Sequence, residues 1–499
     1  MSAAVVDEAV PGPRFAAAPW LLGLLLYLAT LALCARAVTA DGYDGVGFGL
    51  AVTDYDLSRW QPHPPGAPLY IAWARLVHAL GARVEVALAA VSALLLGLGL
   101  GALVAALRRL PGGSGSRTGA LAFSLAALGP LAWALAVATL SDGAGAGALL
   151  LAGAAVLRLA SRGTRGLGAG GALLGLALAV RPQAAPVVAL LLVSLLPGLG
   201  LRAALALCLG TGLGALLWLV PYALWLGPQR LGLLVHAHAR GHFTDFGGGL
   251  AVDPHPIERG AALLGGLLEA TLGPLWLLGL GLGGLALFVH PPRRWPLAAR
   301  RAGRTLLLVG LGAALWAFAV LPVRGHGRHL LPAALALALA LGLAVDQALG
   351  ATLRPAPRRA LLVGVVLLVA GLGLTSARTV RAFRTHPDPG AALGAYAAQS
   401  TASTSLVYGA RAARHLDLHR GSGTARPALF LGEVLSDLSR LDRLPAEVLV
   451  TSEVRASARS QAALRPLARF CYDSSVPRLL RWDLYEGGCV TLSAYRVNP

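Results

Sequence analysis

Four carboxylates, Asp41, Asp44, Asp54 and Asp56, and one histidine, His63, stand close together in a chain that is otherwise poor in acid. The sequence has 23 Asp and Glu in 499 residues, so this grouping needs a reason. Carboxylates beside an apolar span are costly unless they take a proton, hold a cation or orient a polar substrate. They lead into Gln61-Pro-His63-Pro-Pro-Gly-Ala-Pro68-Leu-Tyr70, where the prolines remove backbone donors and force a stiff, extended path. Stiffness of that kind fixes a site, and His63 sits inside it. Aspartate also caps helices and forms turns, a reading that suits one or two of the four.

Three further clusters carry cations or acids at the ends of apolar stretches: Ser141-Asp142, Arg181-Pro-Gln183, and Arg324-Gly-His326-Gly-Arg328-His329. A guanidinium matches the oxygens of a phosphate, so Arg181, Arg324 and Arg328 are candidates to hold an anionic group. The competing reading is an internal pair with Asp, or snorkelling to lipid headgroups. The segment 227–262 adds His236, His238 and His242, a spacing that offers ligands to a divalent metal; a lone histidine more often just makes a hydrogen bond.

The elements that position these residues are membrane helices. Hydrophobic residues make up 56% of the chain and charged residues 13%. Apolar stretches long enough to cross a bilayer recur eleven times, at 18–38, 86–107, 119–140, 143–161, 167–180, 184–200, 203–226, 263–289, 305–321, 329–349 and 360–376, and predict about eleven transmembrane helices. The first lacks a clean small-residue cleavage site and reads as retained rather than as a signal peptide. All 42 basic residues are arginine, and they concentrate in alternate loops, at 108–117, 158–165, 293–301 and 354–359. By the positive-inside rule those loops and residues 1–17 are cytoplasmic. The first loop (39–85), the loop 227–262 and the tail then lie on the non-cytoplasmic face of the plasma membrane. The net charge of +19 is explained by topology and by anionic membrane lipid. No soluble basic face with interleaved aromatics is present, which argues against a nucleic-acid partner.

The tail, 386–499, changes composition and reads as a small α/β domain. Strands are expected at 406–408, 447–450 and 490–495, and helices at 391–399, 411–419 and 432–441. Cys471 and Cys489 both fall there, where an oxidising compartment permits a disulfide. Cys34 and Cys208 lie in apolar stretches and read as small core residues.

Taken together, the pattern D-x-x-x-F-x-L-A from Asp44, D-x-D at Asp54 and Asp56, Q-P-H-P-P-G-x-P-L-Y from Gln61, S-D at Ser141, R-P-Q at Arg181 and R-H-x-L-P at Arg328 resembles the GT-C superfamily of integral-membrane glycosyltransferases. The nearest branch in appearance is the bacterial relatives of protein O-mannosyltransferases. The resemblance covers about residues 18–376 and implies a polytopic α-helical membrane domain of GT-C type. It implies inverting transfer of a sugar from a polyprenyl-phosphate-linked donor to an acceptor hydroxyl, with Asp44, or alternatively Asp41, as general base. By the same resemblance Asp54, Asp56 and His63 orient the acceptor or a cation, and Arg181, Arg324 and Arg328 bind the donor phosphate. Gly45 and Gly47 depart from the bulkier residues usual after that acid, and Ala67 stands where an aromatic is common. Two other classes fit the same charges: a transporter or flippase of a lipid-linked or anionic substrate, and an inactive GT-C-like scaffold.

Overall fold

The computed structural model describes residues 18–108, 120–244, 249–252, 255–321, 327–351, 353–400, 406–409, 411–420, 425–428, 431–440, 447–454, 464–481 and 488–496. Residues 1–17, expected to be a cytoplasmic leader into the first span, lie outside them, as does Arg324. The membrane part is a bundle of helices with one large apolar core. Each of the eleven apolar stretches is helical. Among the described residues, seven helical segments are long and apolar enough to cross a bilayer, at Val84–Leu107, Ser141–Ala177, Leu201–Leu226, Pro256–Val289, Leu297–Val320, Gly327–Gly350 and Pro355–Gln399. The protein is thus a multi-pass membrane protein.

The difference between seven segments and eleven stretches has local causes. Segment 141–177 is two helices, α7 (Ser141–Leu159) and α8 (Gly163–Ala177), joined at Gly163 with φ 70°. A Cβ on Gly170 would lie 2.9 Å from Val156 Cα, so α8 runs back along α7. The stretch 119–140 is broken before Pro130 into α5 (Ala120–Leu128) and α6 (Pro130–Ala136). The stretch 184–200 gives α9 (Ala185–Leu195), too short to cross alone.

Helix α1 (Ala18–Cys34) ends in a tight turn, and the chain bends by 90° into α2 (Gly42–Thr53). This helix is nearly all buried and carries Asp44 in its first turn. Helices α3 (Pro68–Ala79) and α4 (Val84–Leu107) follow. The segment 227–262, expected as a loop, is largely helical: α11 (Pro228–Thr244) continues from α10 (Leu201–Leu226), and α12 (Pro256–Leu272) begins within it. Helices α13 (Trp276–Val289), α14 (Leu297–Val320), α15 (Leu331–Gly350) and α16 (Pro355–Thr385) complete the bundle. Small residues set the spacing where helices touch: Gly171 and Gly175 of α8 lie against the backbone at Leu207 and Thr211 of α10. The opposite face of α10, with Leu205, Leu209 and Leu213, is exposed, as a lipid-facing surface should be.

Beyond α16 come α17 (Pro389–Ser400), α18 (Arg411–Arg420), α19 (Leu431–Leu438) and a five-stranded sheet. The sheet runs β2 (Ala425–Pro427), β1 (Val407–Gly409), β3 (Glu447–Thr451), β5 (Cys489–Arg496), β4 (Leu464–Cys471). Strands β2, β1 and β3 are mutually parallel, whereas β5 is antiparallel to both β3 and β4. Three strands and the three helices coincide with the stretches expected from the sequence. Strand β4, in contrast, is rich in arginine and proline and lacks an alternating pattern. Cys471 and Cys489 are register partners on β4 and β5 and form a disulfide.

Candidate active site

Helix α2 places its acid by close packing. Gly45 lies where a Cβ would meet Thr139 Oγ1 at 2.7 Å, and Gly47 where one would meet the Trp60 carbonyl at 2.8 Å. The two glycines that depart from the expected pattern are therefore what lets the helix lie against its neighbours. After α2 the chain makes a hydrogen-bonded turn between Asp56 and Gln61 and enters the proline run, with cis peptides at Gln61–Pro62 and Pro64–Pro65. Gly66, at φ 84°, sits against the hydroxyls of Tyr55 and Tyr222, which leave no room for a side chain. This stiff path brings the His63 ring 5.4 Å from Phe48 and 5.5 Å from His238.

The distant motifs arrive at the same place. Arg328, in the short turn 327–330 before α15, pairs with Asp44. His63 Nδ1 is 3.4 Å from the other oxygen of Asp44. Gln183 Nε2 lies 3.1 Å from His63 Nε2 and donates to it, which places the Nδ1 edge of the ring on the side of Asp44. Burial holds the His63 pKa below its ordinary value, and the cations Arg328 and Arg181 act in the same direction, against the pull of Asp44. Arg181 binds Asp142 with two nitrogens, at 2.8 and 3.0 Å, and Ser141 Oγ at 2.8 Å. Asp142 in turn sits in the first turn of α7, where the helix dipole favours an anion.

Asp44, His63, Asp142, Arg181 and Arg328 all line one end of a cavity of about 880 Å³. The rest of its wall is mostly apolar, built by α4, α7, α9, α14 and α15, with Arg301 and Thr305 of α14 among the lining residues. Along α7 the lining extends from Asp142 to Leu157, about 22 Å at 1.5 Å per residue. One end therefore offers two guanidiniums, two carboxylates and an imidazole, and the remainder offers mostly hydrocarbon. Such a shape suits an amphiphile with an anionic head.

Other expected residues fall elsewhere. Asp41 is 3% exposed and outside the cavity lining; it accepts from Arg384 Nη2 at 2.9 and 3.0 Å and from the Thr139 amide at 2.7 Å. Asp54 and Asp56 face outward, the first paired with Arg59 and the second with Arg59 and Arg230. They pin the turn and do not reach the cavity. The three-histidine ligand set also comes apart. Residues two apart on a helix point to opposite faces, so on α11 His236 is exposed while His238 lines the cavity beside Trp60 and His63. The side chain of His242 lies outside the described residues. Among those residues no group of three or more His, Cys, Asp or Glu could hold a metal ion.

Sequence reasoning passed over Tyr43, Trp60 and His329, which also line the cavity. It passed over Arg384 and Arg259 as well. Arg259, 1% exposed, donates to the carbonyls of Phe318 and Leu321 at the end of α14, just before the segment that carries Arg328. Gln183 in the R-P-Q motif and His329 in the R-H-x-L-P motif were legible as parts of motifs, without a role of their own.

No protein-family model matches the sequence, and no curated protein matches it. Solved structures do. The chain shares the fold of ArnT. The crystal structure of ArnT from Cupriavidus metallidurans bound to undecaprenyl phosphate aligns at a TM-score of 0.56 and 14% identity, over 95% of this chain and 98% of ArnT. The apo structure of the same enzyme aligns at 0.56 and 16%, over 96% and 98%. A cryo-EM structure of the arabinofuranosyltransferase AftD from Mycobacteria aligns at 0.44 and 18% identity, over 97% of this chain and 40% of AftD, a score on which nothing is built. The likeness to ArnT is one of fold, and it takes in the C-terminal region that the sequence resemblance had left out.

Proposed function

We propose that the protein is a polyprenyl-phosphate-dependent glycosyltransferase acting at the non-cytoplasmic face of the plasma membrane. One observation carries the reading: Asp44, Arg328 and Arg181 converge at the polar end of a cavity whose remaining wall is mostly hydrocarbon. The phosphate of a lipid-linked sugar matches the guanidiniums and its isoprenoid chain matches the apolar wall. The undecaprenyl phosphate bound by ArnT, a protein of the same fold, supports the same ligand class. The arginine-rich loops at the opposite ends of the helices support the assignment of the face, as does a disulfide at Cys471–Cys489.

In the step itself the acceptor oxygen attacks the anomeric carbon from the face opposite the phosphate. The bond to the phosphate oxygen breaks, and the electron pair leaves with the lipid phosphate. Asp44 takes the hydroxyl proton, a contribution of about 10²–10⁴-fold in rate. Negative charge grows on the leaving phosphate, and the preorganised guanidiniums stabilise it as it develops. Arg328 has two tasks here: before the donor arrives it pairs with Asp44, and a phosphate that draws it away leaves Asp44 a stronger base. His63 stands with Nδ1 3.4 Å from Asp44 and closes that side of the carboxylate. The test is transfer from a polyprenyl-phosphate-linked sugar donor by the protein in lipid nanodiscs. Transfer that disappears in Asp44→Asn while undecaprenyl phosphate still binds supports the reading; full activity in that variant removes Asp44 as the base.

A further inference from the structure

One side chain of the C-terminal domain touches two residues of the cavity wall at once. Arg414, on the first turn of α18, donates Nη1 to the Tyr43 hydroxyl at 2.8 Å and Nη2 to the backbone carbonyls of Trp60, at 3.1 Å, and Arg59. Its guanidinium also lies over the Tyr43 ring, 5.1 Å from the centroid. Tyr43 and Trp60 are both cavity-lining, and Tyr43 precedes Asp44 in sequence. Neither contact is incidental to the backbone. Trp60 is left-handed, with φ 58° and ψ 41°, a conformation that is unfavourable for a bulky residue and persists only when its surroundings hold it. On one side of its carbonyl stands Gly47 of α2, where a Cβ would come within 2.8 Å; Arg414 donates to the same oxygen. The result puts the indole 5.4 Å from His238, forming a side wall at the polar end of the cavity.

Helix α18 is a firm base for this grip. Leu418 packs where a Cβ on Gly49 would meet it at 2.9 Å, so α18 and α2 lie in direct contact. His415, 1% exposed, is wedged against Gly394 of α17 and lies 3.7 Å from Asp388.

We propose that Arg414 is a positioning residue, through which the C-terminal domain holds Tyr43 and Trp60 as the walls that seat the transferred sugar beside Asp44. The proposal rests on the glycosyltransferase reading and extends it: the tail is then part of the site rather than a cover over it. Aromatic faces suit the C–H faces of a sugar ring, whereas the phosphate and the isoprenoid chain contact other parts of the cavity. Loss of Arg414 therefore alters turnover and leaves lipid binding alone.

The experiment uses the full chain in nanodiscs, with Arg414→Ala and Arg414→Lys beside the wild type. Three quantities are read: kcat and KM for the polyprenyl-phosphate-linked donor, affinity for undecaprenyl phosphate, and hydrogen exchange of the amides at 57–61. In Arg414→Ala kcat should fall about 10²-fold, the effect that a misplacement of about 1 Å produces. Undecaprenyl phosphate affinity and the melting temperature should stay at wild-type values, and exchange at 57–61 should speed up. Arg414→Lys should recover part of kcat, because an ammonium still reaches the two carbonyls but loses the fork to Tyr43. Unchanged kcat and exchange in Arg414→Ala overturn the proposal. So does a fall in kcat accompanied by lost lipid binding and a lower melting temperature, which marks a merely structural role. If the wild type itself transfers no sugar, the glycosyltransferase reading fails first and this role in turnover falls with it.

Discussion

Asp41 and Asp44 lie three residues apart at the start of the same helix and meet opposite fates. Asp41 is enclosed at the back of α2, and its oxygens are engaged by Arg384 and by the amide and hydroxyl of Thr139. Asp44, one turn on, has a side chain 23% exposed to the cavity, with Arg328 on one oxygen and His63 near the other. A carboxylate already surrounded by fixed donors in a dry pocket is a structural fastener, since protonating it would break a buried ion pair. A carboxylate on a cavity wall can exchange partners with a substrate. Residue type and local sequence do not separate the two; the enclosure does.

The largest expected effect breaks or keeps that contrast directly. Asp44→Asn should cut transfer by about 10²–10⁴-fold with the melting temperature unchanged. Asp41→Asn should instead leave Arg384 buried without its counter-charge, costing about 3–5 kcal/mol of stability. Transfer rate per folded molecule, together with thermal unfolding, checks both; a stable, inactive Asp41→Asn would reverse the assignment.

Next in size are the cations. Arg328→Ala and Arg181→Ala should each weaken binding of undecaprenyl phosphate about 10- to 100-fold, from ~1.5–3 kcal/mol for a charge-assisted hydrogen bond. Affinity measured by titration in nanodiscs would show it. Equal affinity in both variants would detach the phosphate from this end of the cavity.

A smaller effect sharpens the role of His63. Its folded pKa lies below the ordinary value, so the folded protein resists a proton that the unfolded chain accepts. As pH falls below about 6.5 the unfolded state binds more protons and stability drops. The loss continues until the depressed folded pKa is reached, and the contribution is fully present above the ordinary value. Melting temperature followed from pH 8 to pH 5 should show this slope, and His63→Asn should flatten it.

The smallest effect concerns the outward pair. Asp54→Asn and Asp56→Asn remove exposed ion pairs with Arg59 and Arg230, worth about 0–1 kcal/mol each. Transfer should stay within about twofold of wild type for either variant, the change such an energy allows at most being several-fold. A loss as large as that of Asp44→Asn would return them to the site.

Much of the molecule was written in short-range pattern. Long apolar stretches fix helices in a bilayer because unpaired backbone is too costly there. Short apolar runs marked β1, β3 and β5. The motifs around Asp44, His63, Arg181 and Arg328 stood out because polar residues at the ends of apolar helices have few places to go, and they do meet in one cavity. What the sequence could not decide was partnership. Arg384 reaches Asp41 across 343 residues and Arg414 reaches Trp60 across 354, distances over which no local propensity operates. The spacing of His236, His238 and His242 looked like a ligand set only while the segment was taken for a loop; as helix α11 it sends His236 and His238 to different faces. Hydropathy and turn chemistry act within a few residues, and so they set which segments are helices and where charges can stand. The packing of those helices is long-range, and it alone chose which aspartate is locked away and which one faces the cavity.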